Sequence, residues 1–377
     1  MELRFLDGLN PGDVSVWDEM VRGAPIPDVY YRPGYVRAYH FAGEGRPVAV
    51  VIRIGSSKLL FPLLIRDLTF DGQSYSDAIT PYGYGGMLLV SGPNPDSRVL
   101  QEATEELRNW AHSLGLAACT IRLHPLLDED TIRQASEIWQ EKVRVFSPSQ
   151  TTAVELERWD AASFILERMS TLRRRDVKKA RSALQVRVSQ GKEVAEDLKI
   201  FQALYRETML RLNADEFFYF SDKYYEHLAG ELGDDFAVAT AFAGDRPVGS
   251  YIFLAGARYA HYHLAGTNDE GRRNGAATLL MMAGCEWARR KGCSLLHLGG
   301  SLQPDDSLWQ FKRSFHGKAF SYSYITVIAN DGQYKSLASN TESPWPYAPV
   351  GRASESVLAS SAPASRSHRP APPTASG

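Results

Sequence analysis

The stretch Gly45-Arg46-Pro47-Val48-Ala49-Val50-Val51-Ile52 runs into a turn at Gly55-Ser56-Ser57 and a second apolar run over 58–65. At an offset of 200 positions, Asp245-Arg246-Pro247-Val248-Gly249-Ser250-Tyr251-Ile252 runs into Ala255-Gly256-Ala257 and a second run over 258–264. Both read as β-hairpins. A further echo follows each. Trp110-Ala111 precedes Gly115 and Trp287-Ala288 precedes Gly292, each time closing an amphipathic helix on a glycine before an apolar strand, 117–123 and 294–298. Two echoes in the same order predict a duplicated α/β unit, with lobes over 1–150 and 151–335. The first copy holds extra residues over 67–92, a glycine- and tyrosine-rich insertion of the kind that forms binding loops. Helices are expected over about 160–184 and 195–212.

The chain has 377 residues, long enough for two cores, and a formal net charge of −2. That balance excludes a globally basic nucleic-acid coat, so DNA is not an expected partner and any RNA contact requires a local patch. Cys119, Cys285 and Cys293 sit in apolar contexts without CxxC or Cys/His spacing, which predicts neither a disulfide framework nor a metal site. No uninterrupted apolar run approaches roughly 18 residues and the first residues carry no basic-then-apolar signal, so a cytoplasmic protein without a transmembrane segment is expected. From 336 onward the sequence turns Pro/Ala/Ser-rich and too poor in apolar side chains to offset ordering entropy, predicting a disordered tail over 336–377.

Five motifs carry a family resemblance over about 75–320. They are Thr80-Pro81-Tyr82-Gly83-Tyr84-Gly85-Gly86; Arg173-Arg174-Arg175-Asp176-Val177-Lys178-Lys179-Ala180; Tyr205 through Arg211 with the aromatic 217–220; His261-Tyr262-His263-Leu264-Ala265-Gly266-Thr267; and Leu308-Trp309-Gln310-Phe311-Lys312-Arg313-Ser314-Phe315. In this order they resemble the FemABX family of aminoacyl-tRNA-dependent peptidyltransferases and their FemAB-like acetyltransferase relatives. The resemblance implies tandem GNAT-like lobes, each a mixed sheet flanked by helices. It also implies amide-bond formation: an aminoacyl group moves from aminoacyl-tRNA to an amine of a small peptide or nucleotide-linked acceptor, with no tightly bound cofactor. Acetyl-CoA is the alternative donor. The long charged helical hairpin of some members is missing from the sequence.

The residues suggest roles of their own. Six Lys/Arg fall within 173–181, and a helix would place Val177, Ala180 and Leu184 on an apolar stripe and Arg174, Lys178 and Arg181 on another face, either solvated or phosphate-binding. Arg272-Arg273-Asn274-Gly275-Ala276-Ala277 matches the loose Arg-x-x-Gly-x-Ala pattern opening a helix, whose amides could cradle a pyrophosphate. Alternation over 259–264 puts Tyr259, His261 and His263 on one strand face and Tyr262 on the other; a catalytic role for His263, as base, or for Tyr262 fits, as does core packing of both, and two His without a third ligand signal make no metal site. The resemblance places Phe311 and Lys312 at the donor end, for stacking and oxyanion pairing, and Asp77 beside the acceptor amine, with a turn cap as the competing reading of Asp77. Tyr82 lies in the loop motif, and Arg37, Arg211 and Tyr224 are further candidates for acceptor contacts. No nucleophile constellation occurs, which favours direct attack of the acceptor amine.

Overall fold

In the computed structural model, residues 2–339 are described apart from 71, 128–142, 147–149, 158, 165–168, 170 and 301–306. Fifteen strands occur among them: β1 (Glu2–Asp7), β2 (Arg46–Ile54), β3 (Ser57–Phe70), β4 (Gln73–Ile79), β5 (Leu88–Ser91), β6 (Ala118–Arg122), β7 (Val143–Phe146), β8 (Gln150–Glu155), β9 (Gln185–Gln190), β10 (Phe236–Ala243), β11 (Arg246–Ala255), β12 (Tyr259–Thr267), β13 (Leu295–Gly300), β14 (Lys318–Ser321) and β15 (Tyr324–Ile328). They form two mixed sheets. The first runs β1-β2-β3-β4-β6-β15-β7, with β5 on β3, and the second runs β14-β8-β13-β12-β11-β10-β9.

Laid side by side, the two orders match strand for strand. In each, an antiparallel meander ends on a strand that pairs in parallel with the next: β4 with β6, and β12 with β13. This is the predicted duplication, with one correction. The Arg-Pro-Val echo equates β2 with β11, whereas the sheet order equates β3 with β11. The tripeptide is a local strand opening, an exposed arginine tied to a nearby acid (Arg46–Asp7 2.6 Å, Arg246–Glu270 2.7 Å) and a proline at the sheet end. The Trp-Ala echo does mark equivalent helices.

The lobes also exchange a strand. After β7 the chain crosses into the second sheet as β8; after β14 it crosses back into the first as β15. The stretch 324–338 therefore belongs with the first sheet, not with a lobe over 151–335. The last helix ends at Ala338 and its Leu337 is buried against Ala117 and Ala118, so the expected tail starts too early; residues 340–377 lie outside the described residues.

Among the described residues, ten α-helices of five or more residues position the rest: α1 (Pro11–Arg22), α2 (Pro33–Phe41), α3 (Ser97–Ser113), α4 (Thr171–Ala183), α5 (Val194–Leu212), α6 (Asp222–Leu232), α7 (Asp269–Arg273), α8 (Ala276–Arg290), α9 (Ser307–Arg313) and α10 (Asp331–Ala338). The apolar stripe of α3 (Leu100, Ala103, Leu107, Trp110) covers one face of the first sheet. The stripes of α4 and α8 cover the second, through Val177, Ala180, Leu280 and Trp287. A third core lies between the lobes, where α2, α5 and α6 pack Tyr35, Tyr39, Phe201, Tyr205, Tyr224 and Leu228 against both sheets. At about 25 cal/mol per Å² of apolar surface removed from water, burial of such a core favours keeping the two lobes together.

Candidate active site

The parallel pair β12/β13 lasts only from Tyr259 to His261 opposite Leu295 to His297. Beyond that point each strand bulges. Pairing of β12 with β11 skips His263, and pairing of β13 with β8 skips Leu298. A bulge bends its strand and raises the local twist, so the two part company. The opening is a cleft of about 510 Å³, continuous with solvent. The second lobe lines it with Tyr262, His263, Leu298, Gly299, Gly300 and Lys312; the first supplies Tyr30, Tyr82, Gly83, Tyr84 and Arg122.

Two cations face this cleft from opposite lobes. Arg122, at the end of β6, is 6% exposed and donates from Nη1 to the Gly83 carbonyl (3.3 Å) and from Nη2 to the Tyr324 hydroxyl. Four rings, of Tyr82, Tyr84, Tyr322 and Tyr324, stand 4.8–5.9 Å from its Cζ. Their π faces offset part of the cost of desolvating a guanidinium. Lys312, on α9, is 1% exposed; its Nζ donates to the Gly300 carbonyl (2.5 Å) and lies 5.8 Å from the Tyr262 ring centre. Fixed cations in a half-dry cleft favour bound anions and developing oxyanions.

On the far side, His263 Nε2 lies 2.8 Å from the Tyr224 hydroxyl. Tyr224 is 3.3 Å from Tyr39, Tyr39 is 3.2 Å from Tyr35, and Tyr35 donates to the Tyr82 carbonyl at 2.5 Å. Burial, with a smaller push from His261, brings the His263 pKa down to about 3, so the ring is neutral. Burial also pushes the three tyrosines well above their usual range, and all keep their protons.

Behind Tyr30 sits a buried cluster. His261 Nε2 is 2.9 Å from Asp28 Oδ2, His124 Nε2 is 3.8 Å from Asp28 Oδ1, and one ligand atom of each lies within 4.8 Å of the others. The structure thus gives His261 the partners that sequence spacing did not reveal; His263 is not among them. The Leu126 N–H donates to His124 Nδ1 (3.1 Å), which leaves the ring proton on Nε2, toward Asp28. A metal on Nε2 would require Nδ1 to donate instead. The arrangement therefore suits a carboxylate held by two imidazoles. Burial pushes Asp28 up, but the two neighbouring imidazoles, His261 above all, prevail and hold it well below the usual carboxylate range. Asp28 and His124 belong to the first lobe and His261 to the second, so the cluster also ties the lobes together.

Of the residues singled out in the sequence, the cleft gathers Tyr82, Tyr262, His263 and Lys312. Four others are placed elsewhere. Asp77 is in β4, not a loop, fully buried and gripped by Arg66 at 2.9 and 2.6 Å, so it is not available to an acceptor amine. Phe311 packs in the core against Phe315. Arg37 pairs with Glu231 at 3.3 Å on the surface. Tyr224 is buried behind His263 and cannot touch an acceptor directly.

The phosphate candidates adjoin one another away from the cleft lining. On α4, Val177 and Ala180 are buried, with Lys178 and Arg181 exposed and Arg174 half-buried. A Cβ on Gly275 would stand 3.4 Å from that of Ala180. Arg272, paired with Asp269, lies near enough to Arg211 to help burial lower its pKa. Gly275 (φ +76°) opens α8 without a side-chain cap.

Sequence reading missed Arg122, Asp28, His124, Tyr35 and Tyr39. Arg122 did leave a signal: it is the only charge in the apolar run 117–123. Tyr31, Tyr35 and Tyr39 also recur at helical spacing. Asp28 left none, because its partner is 233 residues away.

Residues 167–313 match the family model of the acetyltransferase (GNAT) domain. Solved structures share the fold over most of the chain. FemX aligns with a TM-score of 0.66 at 13% identity, covering 89% of this chain and 100% of FemX. A conserved protein of unknown function from Bacteroides thetaiotaomicron aligns at 0.57 and 8%, covering 87% and 100%. L-PGS from Bacillus licheniformis aligns at 0.51 and 12%, covering 86% and 93%. No curated protein matches. Fold and domain match together define a two-lobed protein of the GNAT acyltransferase fold. Within that class, the architecture is the one FemX has.

Among the described residues, no helix is long and apolar enough to cross a membrane.

Proposed function

We propose that this protein forms an amide bond, moving an aminoacyl group from aminoacyl-tRNA to an amine of a small anionic acceptor such as a peptide or a nucleotide-linked peptide. The observation that carries this reading is the cleft at the β12/β13 parting, with Lys312 on one wall and Arg122 on the other. The acceptor nitrogen attacks the acyl carbonyl, the C–N bond forms, and the bond to the leaving oxygen breaks with its electron pair. One proton passes from the amine to that oxygen. Lys312 is positioned to stabilise the oxyanion, and Arg122 to hold an acceptor carboxylate or phosphate. The exposed Lys178 and Arg181 of α4, which packs through Ala180 against Gly275, support a polyanionic donor.

A second reading, acyl-CoA as donor, is supported by the uncapped start of α8 at Gly275 inside the matched domain. The leaving atom is then sulfur. Because α4 packs against Gly275, neutralising its charges disturbs both donors, so binding alone does not separate them. Incubation with cell extract and either labelled aminoacyl-tRNA or labelled acetyl-CoA does. Label entering a small molecule only from acetyl-CoA would replace the first reading, and label from neither would remove both.

A further inference from the structure

We infer that His263 is the proton acceptor of the transfer, and that Tyr224, Tyr39 and Tyr35 are positioning residues that fix its tautomer. The inference rests on the proposed acyl transfer for its chemistry, but the tautomer stands on geometry alone.

The hydroxyl chain has a fixed direction because one end can only accept. Tyr35 has a single hydroxyl proton, and it goes to the Tyr82 carbonyl. In the Tyr35–Tyr39 contact, Tyr39 must then be the donor. Its proton being committed, Tyr224 must donate to Tyr39. The proton between Tyr224 and His263 therefore belongs to the imidazole, on Nε2. A neutral imidazole protonated on Nε2 carries its lone pair on Nδ1, in a residue that lines the cleft. A chain ending at a donor would give the opposite tautomer.

The step balances. As the amine lone pair forms the C–N bond, the nitrogen becomes strongly acidic and its N–H proton passes to Nδ1. The bond to the leaving oxygen or sulfur breaks with its electron pair. The imidazolium returns the proton to that atom, and the ring is neutral again with Nε2–H retained throughout. Burial disfavours the imidazolium, so the ring hands the proton on instead of keeping it.

The test reads the tautomer directly, by two-bond proton–nitrogen correlation on the full chain labelled with 15N-histidine, with His263 assigned from His263→Gln. The parent ring is expected bare at Nδ1. Tyr39→Phe removes the acceptor of the Tyr224 proton, which then turns to His263; the ring is expected to change to Nδ1–H, with kcat lowered at least tenfold and KM nearly unchanged. Tyr35→Phe, which removes only the anchoring hydroxyl, is expected to give the same change should Tyr39→Phe fail to fold. A parent ring protonated at Nδ1, or a ring unchanged in the variant that folds, overturns the relay. A tautomer that changes while kcat does not overturns the acceptor role. A change of tautomer in a protein that transfers no acyl group from either donor would remove the proposed function and the acceptor role, leaving the relay.

Discussion

The two lobes contain the same gap and use it differently. In the first sheet β4 and β6 pair in parallel only through Ala78–Cys119 and Ile79–Thr120, and then diverge as β12 and β13 do. There the chain fills its own opening. Thr80 Oγ1 accepts from the Arg122 N–H (3.0 Å), and the Gly86 N–H donates to the Arg122 carbonyl (2.8 Å), so the loop after β4 is sewn into the space. In the second sheet, helix α7 follows β12 directly and, among the described residues, no such loop fills the space between the strands. One duplicated fold thus yields a closed gap and an open one. The loop that closes the first, with Tyr82, Gly83 and Tyr84, is the wall of the second.

The largest effect should come from the open side. Lys312→Met keeps most of the side-chain volume in a buried site and removes the charge. A fall in turnover of about a hundredfold, with a thermal midpoint within a few degrees of the parent, is expected if the ammonium meets an oxyanion. Unchanged turnover would take Lys312 out of the chemistry.

Arg122 belongs to both gaps, its backbone closing one and its guanidinium facing the other. Arg122→Met should raise KM for the acceptor about tenfold or more, with a smaller change in kcat, because a buried guanidinium positions an anion instead of reacting. A pure kcat effect would reassign it to the transition state.

The closed gap should respond in stability alone. Thr80→Val leaves the Arg122 N–H without its acceptor in a buried place, costing about 1–3 kcal/mol in denaturant unfolding. Turnover at saturating substrate should change less than twofold. Asp77→Asn, which loosens the Arg66 pair beneath the same loop, should behave alike. A large loss of kcat from either would mean that the filled gap also takes part in the reaction.

This contrast explains what could be read from the sequence. Periodicity and turn chemistry are local, so the hairpins, α5, α8 and the glycine stops were legible. Strand order is not local. The exchange of β8 and β15, and the one-strand slip of the Arg-Pro-Val echo, depend on pairings that no neighbouring residues encode. The site divides the same way. Tyr82, Tyr262, His263 and Lys312 lie in recognisable motifs, and the structure gathers them. Asp77 has the right type and neighbourhood, but its pairing with Arg66 across β3 and β4 removes it. Phe311 illustrates the commonest error, an aromatic that belongs to the core.

The smallest predicted effect lies where the lobes face each other. Glu44 follows α2 in the first lobe, and burial pushes its carboxyl up to about 6; Arg66 opposes the shift, and Asp215 of the second lobe reinforces it. A folded pKa above the ordinary 4.5 means that the folded protein binds this proton more tightly than the unfolded chain. The stabilisation this supplies is complete below about pH 4.5 and is lost as pH rises through about 6. Above that, the folded state holds a carboxylate that burial disfavours. Glu44→Gln removes the charge without removing the volume. The variant should therefore gain thermal midpoint over the parent as pH rises from 4.5 to 7, by no more than a few degrees, and show no gain at pH 4. The opposite trend would mean that Arg66 outweighs burial and that an ionised Glu44 helps hold the lobes together.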